Sequence, residues 1–302
     1  MISVAPVVLF VYNRPLHTKQ TLESLKHSNL AAKSKLYIYS DGAKTHNDEK
    51  AVNEVRDYLR SINEFYDIVI RQREENYGLA KSVIEGISEI LEKNDRVIVL
   101  EDDIVTSPKF LEFMNNSLEF YKEISSVYSI SGYSFPIEIP PKYDQDIYFL
   151  RRSSSWGWAT WKERWEQALW DNSFYKKKIS DNITRKNFNI GGSDLTPMLV
   201  KQVNNKIDSW AIRWAFTHYL NNGNCVFPVK SLVKNIGTDA TGTNFDRKTS
   251  RYNVELDESD KEIKLSNMVQ INSDIERQVR KIVRPGIITR IKNNLLSLLG
   301  TS

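Results

Sequence analysis

Val97-Ile98-Val99-Leu100-Glu101-Asp102-Asp103 decides how this chain folds: four apolar residues, three of them β-branched, run without a break into three carboxylates. A continuous apolar run of this length is a strand buried on both faces, as in a parallel sheet. Upstream the same unit recurs. Val7 to Tyr12 is an apolar run ended by Asn13-Arg14-Pro15, and Leu36 to Tyr39 is stopped by Ser40-Asp41-Gly42. Ile68-Val69-Ile70 makes the remaining strand. Between them lie stretches of helical period: Thr21, Leu22 and Leu25; Val52, Val55, Leu59 and Ile62 after the cap Asn47; and Leu79, Val83, Ile87 and Ile90. Four strands alternating with three helices predict an open, mostly parallel α/β sheet flanked by helices. Ligands of such sheets bind beyond the carboxyl ends of the strands, where Asn13, Asp41 and the three acids all fall.

Downstream, a helix is expected from Pro108 through Tyr121, then strands at Tyr128–Ser131 and Ile147–Leu150, and helices at Leu195–Val203 and Trp210–Leu220. The composition changes near residue 150. All seven tryptophans lie between Trp156 and Trp214. The expected organisation is a nucleotide-type half over 1–125, an aromatic half over 126–273 and a basic tail over 274–302. Trp158, Trp161 and Trp165, spaced i, i+3 and i+7, read as a helix face packed into the core. Trp156 precedes Gly157 in a serine-rich loop and is less easily explained by packing. It and Ser155 are therefore expected to touch a sugar, whose apolar face stacks on an indole.

With 302 residues, 40% hydrophobic and 26% charged, the chain is neither disordered nor fibrous. No stretch approaches the roughly 20 apolar residues that cross a bilayer, and Ile2 to Tyr12 lacks the marks of a signal peptide. The single cysteine, Cys225, sits beside Val226 and Phe227 as an inert core thiol, and one cysteine fits a reducing compartment. A soluble, cytoplasmic protein is expected. The net charge of +4 resides entirely in 274–302, which holds six basic and two acidic residues. A neutral body argues against nucleic acid as a partner.

Three adjacent carboxylates at the end of a buried strand repel one another, and a hard divalent cation would offset that cost. Oxygen ligands suit Mg²⁺ or Mn²⁺, which bridge to substrate phosphates. The plainer alternative is an acidic turn or helix cap. Against it, the strand runs straight into the acids and no basic residue follows before Lys109. None of His17, His27, His46 or His218 has the spacing of a metal pair.

The segment Ile98 to Asp103, followed by Ser107-Pro108 and an aromatic helix, resembles the acidic metal motif of GT-A fold glycosyltransferases. Its form is similar to that in N-acetylglucosaminyltransferase I and in bacterial family 2-like sugar transferases. Phe10 to Pro15, Ser40-Asp41-Gly42, Asn76 to Ala80, Ser154 to Trp161 and Asn235-Ile236-Gly237 match in order, so the resemblance spans about 5 to 245. It implies a GT-A (Rossmann-like) sheet and an inverting, metal-dependent transfer of a sugar from a UDP-sugar. The implied acceptor is a glycan or a polyprenyl-linked oligosaccharide, in surface polysaccharide synthesis. Asp103 would hold Mn²⁺ or Mg²⁺, with Asp102 and Glu101 near the ribose. Tyr12, Asn13 and Arg14 would line the base pocket, Asp41 would accept from the base, and Asn76 and Lys81 would lie toward the diphosphate. The general base falls on Asp208, before Trp210 on the acceptor side; Asp208 is equally placed to cap the helix that follows. Where relatives often carry a histidine, this chain has Asn244, a weaker metal ligand.

Two alternatives stand beside this reading. A sugar-1-phosphate nucleotidyltransferase would want a glycine-rich N-terminal loop, and Val11 to Pro15 has no glycine. A non-catalytic carbohydrate-binding protein would leave the acidic triplet without a role. After Pro285-Gly286, the isoleucines and leucines from Ile287 to Leu299 lie mainly on one helical face, with Arg290 and Lys292 on the other. That pattern predicts an amphipathic helix on an anionic membrane surface, and so a peripheral location at the inner face of the membrane.

Overall fold

The computed structural model describes residues 4–238 and 250–286. Asn244 and the amphipathic segment from Ile287 onward lie outside the described residues.

The N-terminal half follows the expected alternation: β1 (Val7–Val11), α1 (Pro15–Lys26), β2 (Lys35–Ser40), α2 (Glu49–Leu59), β3 (Asp67–Gln72), α3 (Leu79–Lys93) and β4 (Arg96–Glu101). Pro15 occupies the first turn of α1, where its missing N–H is not needed. A short strand β5 (Ile104–Thr106) and α4 (Phe110–Tyr121) come next, then β6 (Val127–Ser131), β7 (Ile147–Leu150) and β8 (Trp158–Trp161). A helical segment follows, made of α5 (Lys162–Trp165), α6 (Asn172–Lys178), α7 (Asn182–Phe188), α8 (Leu195–Val203) and α9 (Trp210–Leu220). The described chain ends with β9 (Asn224–Pro228), β10 (Val233–Asn235) and α10 (Ser273–Ile282).

Eight strands form one sheet in the order β3-β2-β1-β4-β8-β6-β9-β7, and β5 pairs with β10 in a separate antiparallel ladder. β1 through β4 are mutually parallel, whereas β8 runs antiparallel to both β4 and β6. The result is the expected mostly parallel, helix-flanked α/β sheet.

Strand alternation divides the core. Val7, Leu9, Ile98 and Leu100 point to the face covered by α1, α2, α4 and α10. Val8, Phe10, Val97 and Val99 point to the face covered by α3 and α9. Outside α9, a third cluster joins Tyr175, Ile179, Phe188, Leu199 and Phe216.

The tryptophan segment is a strand where a helix was expected. Trp158 lies in the α3–α9 core and Trp161 in the opposite one, because residues three apart in a strand face opposite ways. Helical spacing was coincidental: with both faces buried, the strand shows no alternation of apolar and polar residues. The packing role holds for all three side chains, with the Trp161 indole donating to the Leu118 carbonyl and Trp165 to Ser88 Oγ. The boundary at 274 falls within the first turn of α10. Ile275 and Val279 of that helix are buried in the main core, so α10 belongs to the body. Cys225 is buried, and burial pushes its thiol up to about 12.

Candidate active site

The parallel register brings the functional loops together. Phe10 pairs with Glu101 and Val11 with Ser40, so Tyr12–Arg14, Asp41–Gly42 and Asp102–Asp103 leave the sheet side by side at its carboxyl edge. Asp41 clamps that edge. Its carboxylate accepts from the backbone N–H groups of Gly42 (3.1 Å), Tyr77 (2.9 Å) and Gly78 (2.9 Å). Asn76 closes the same loop by donating to the Gly42 carbonyl at 2.8 Å. A second wall forms where Asn13 donates to Asp48 at 2.8 Å and Tyr12 Oη accepts from the Lys44 N–H at 2.9 Å. Burial, set against that backbone bond, raises the Tyr12 hydroxyl above its ordinary pKa.

Charge is concentrated at the end of β4. Burial first, and the Asp103 carboxylate second, push Glu101 well above the usual carboxylate range and Asp102 up to about 7. Arg14 pulls both back. Arg14 Nη1 lies 2.8 Å from Asp103 Oδ2 and 3.5 Å from Asp102 Oδ1.

The other Asp103 oxygen, Oδ1, is buried without a hydrogen-bond partner among the described residues. An orphaned carboxylate oxygen among like charges fits a divalent cation completed by phosphate and water oxygens. Among the described residues no three His, Cys, Asp or Glu side chains are grouped to hold a metal by themselves, so Asp103 would be the protein's contribution.

Asp103 sits in a cradle made by a distant segment. The Ile236 N–H donates to the Asp103 carbonyl at 2.9 Å, in line with the ladder between β5 and β10. The Gly237 N–H donates to Asn235 Oδ1 at 2.8 Å. A Cβ on Gly237 would stand 2.0 Å from Asp103 Oδ2 and 3.0 Å from Arg14 Nη2. Glycine is needed there because the acid occupies the space of its side chain.

Residues 7–184, more than half of the sequence, match glycosyl transferase family 2. The chain belongs to that family.

No curated protein matches this family 2 chain. Solved structures similar to it include S. aureus TarS, at 12% identity and a TM-score of 0.41, covering 76% of this chain and 36% of that one. Another is the mannosyltransferase PcManGT from Pyrobaculum calidifontis in complex with GDP-Man and Mn²⁺, at 13% identity and 0.36, covering 54% and 48%. A third is mouse xyloside xylosyltransferase 1 in its apo form, at 14% and 0.37, covering 71% and 80%. The family 2 chain thus spans about a third of TarS and about half of the mannosyltransferase.

The structure gathers most of the expected site residues of this family 2 glycosyltransferase and moves some to other roles. Tyr12, Asn13, Arg14, Asp41, Asn76, Glu101, Asp102 and Asp103 share the carboxyl edge. Arg14 faces the acids, and Asp41 is spent largely on backbone. Lys81, on the first turn of α3, lies over the Tyr77 ring at 3.9 Å and near Glu85 at 3.9 Å. Trp156 is half-buried, edge-on to Tyr133 at 4.7 Å and to Tyr252 at 5.7 Å, and Gly157 turns the chain there with φ of +53°. Ser155 adjoins it, partly exposed.

Two expectations are corrected. Trp210 is only 2% exposed and stacks on Trp158 at 5.1 Å, so its ring is closed to an acceptor. Asp208 does not cap α9. Ser209, in extended geometry, takes that place, its Oγ accepting from the Ile212 N–H. Asp208 is left with 68% of its side chain exposed, its carboxylate 3.1 Å from Arg213 Nη2, on an open cleft of about 490 Å³. Sequence reasoning gave no role to Arg56, which ties β2 to its exit loop through Ser40 Oγ and the Asp41 and Arg73 carbonyls. A lone arginine on an amphipathic helix carries no signal of such a function.

Proposed function

We propose that this chain transfers a sugar from a UDP-sugar, with inversion, to a hydroxyl of a glycan or lipid-linked acceptor at the inner face of a membrane. One observation carries the reading: a buried Asp103 oxygen with no hydrogen-bond partner among the described residues, at the carboxyl edge of the sheet, cradled by Gly237 and faced by the Tyr12–Arg14 and Asp41 loops. Asp103 would hold Mn²⁺ or Mg²⁺, which when bound neutralises the donor diphosphate as the sugar departs. The two loop walls hold the nucleotide, and Asp102 stands where a ribose hydroxyl can be bound. Glu101, whose carboxyl burial raises well above its ordinary pKa, ends β4 beside them. Asp208, exposed on its cleft and oriented by Arg213, takes the proton from the acceptor hydroxyl. The fit of a cation to the acids favours this over the nucleotidyltransferase and lectin alternatives.

The test is a panel of nucleotide sugars with and without Mn²⁺. One UDP-sugar should be hydrolysed slowly without acceptor, and only with metal. Asp103→Asn should abolish the metal dependence. Asp208→Asn should lower acceptor transfer by roughly 10²–10⁴-fold with nucleotide affinity unchanged. Binding of free glycan with no response to any nucleotide would refute the proposal.

A further inference from the structure

A strongly charged surface lies away from the carboxylate edge. Between 171 and 206 the sequence holds seven basic residues and three acids, and all three acids are committed internally. Asp171 caps α6 by accepting from the Ser173 N–H, and Asp181 caps α7 by accepting from Ile183 and Thr184. Asp194 pairs with Arg152 through both oxygens, at 3.0 and 2.9 Å. Lys176, Lys177, Lys178 and Lys186 are exposed, and among the described residues none of them enters an ion pair with an acid. Tyr175 and Ile179, on either side of the lysine run, are buried beneath α6, so the three lysines occupy its outer arc. Five residues on, Ile183 is 70% exposed and shares the face of α7 with Lys186. Leu169, just before α6, is 52% exposed.

We infer that the outer side of α6 and α7 rests on an anionic bilayer, with the lysines at the headgroups and Ile183 inserted. The excess of basic residues over acids draws the surface to acidic headgroups. An exposed branched aliphatic among them has no use for a soluble polyanion but gains from the headgroup–acyl boundary. The surface belongs to the same helical layer as Asp208, since α6, α7 and α8 pack over α9 through the third core cluster. Docking there would hold the acceptor cleft near the interface where a lipid-linked acceptor lies. That consequence rests on the proposed function; the docking itself does not.

The experiment is co-sedimentation of the full chain with phosphatidylglycerol–phosphatidylcholine vesicles and with phosphatidylcholine alone. The wild type should sediment with the first, less so at high salt, and not with the second. Reversal of the run (Lys176→Glu, Lys177→Glu, Lys178→Glu) should lower the partition at least ~10-fold at low salt. Ile183→Ser should lower it ~3-fold and leave a purely salt-sensitive remainder. All these positions are exposed, so melting temperatures should stay near wild type, and nucleotide-sugar hydrolysis in solution should be unchanged. Equal sedimentation of the wild type and the charge reversal would overturn the inference, as the chain would then be held by another segment. So would lysine-dependent binding of heparin with no vesicle binding, which would mark a polyanion site. Hydrolysis failing while docking holds would strike only the proposed function.

Discussion

Gly237→Ala tests whether the Asp103 cradle matters. The added methyl carbon would lie 2.0 Å from Asp103 Oδ2 and 2.8 Å from its Cγ, whereas real Cβ contacts essentially never fall below 3.0 Å. The carboxylate must therefore retreat by at least about 1 Å, or the backbone must move by as much. The backbone has little freedom, because Ile236 and Gly237 are held by hydrogen bonds of 2.9 and 2.8 Å to Asp103 and Asn235. Asp103 cannot retreat without lengthening its 2.8 Å contact to Arg14. A displacement of 1 Å at a reacting centre costs about 10²-fold in rate, and overpacking a tight contact costs about 1–3 kcal/mol in stability. We expect metal-dependent nucleotide-sugar hydrolysis to fall about 100-fold and Mn²⁺ titration by calorimetry to weaken, with the melting temperature lowered by a few degrees. An alanine variant with wild-type turnover and metal affinity would refute the reasoning, since Asp103 would then tolerate a shift that a metal ligand cannot.

Trp210→Ala should remove the stack on Trp158 from the core between α3 and α9, destabilising the protein by about 3–5 kcal/mol in urea unfolding. Identical unfolding midpoints would show that the stack contributes nothing. His218 is fully buried, edge-on to Trp214, and burial lowers its pKa to about 3. The unfolded chain binds this proton below about pH 6.5 and the folded one only near 3, so stability is full above 6.5 and falls as the pH drops through that window. His218→Phe should flatten the fall in melting temperature between pH 6.5 and 4, and an unchanged slope would place the titration elsewhere.

The first four strands could be read because both faces of each core strand are covered, which makes continuous apolar runs such as Val97 to Leu100. β5 and β10 could not be read, being three residues each and stabilised by one another across more than a hundred residues. The same distance concealed Gly237: the Asn235-Ile236-Gly237 motif was visible, but nothing local said that Asp103 fills its empty side. Asp41 was placed correctly at the strand end, yet its three backbone donors come from neighbours that only the fold supplies. Trp158 and Trp161 deceived because spacing identifies a helix only where one side of it is wet.

The antiparallel β8, seated between β4 and β6, also constrains the order in which the molecule can be made. Its residues leave the ribosome well after β4 has emerged, and until they arrive β4 is an unpaired edge with hydrophobic faces. A nascent chain halted near residue 125 would thus expose a strand edge inviting intermolecular pairing, beside the acidic residues of the unfinished site. The two halves cannot be separated by cutting between them. Trp158–Trp161 is the wedge that closes the sheet, and residues 1–125 should need it, in the same chain or added back as a separate fragment, to remain monomeric.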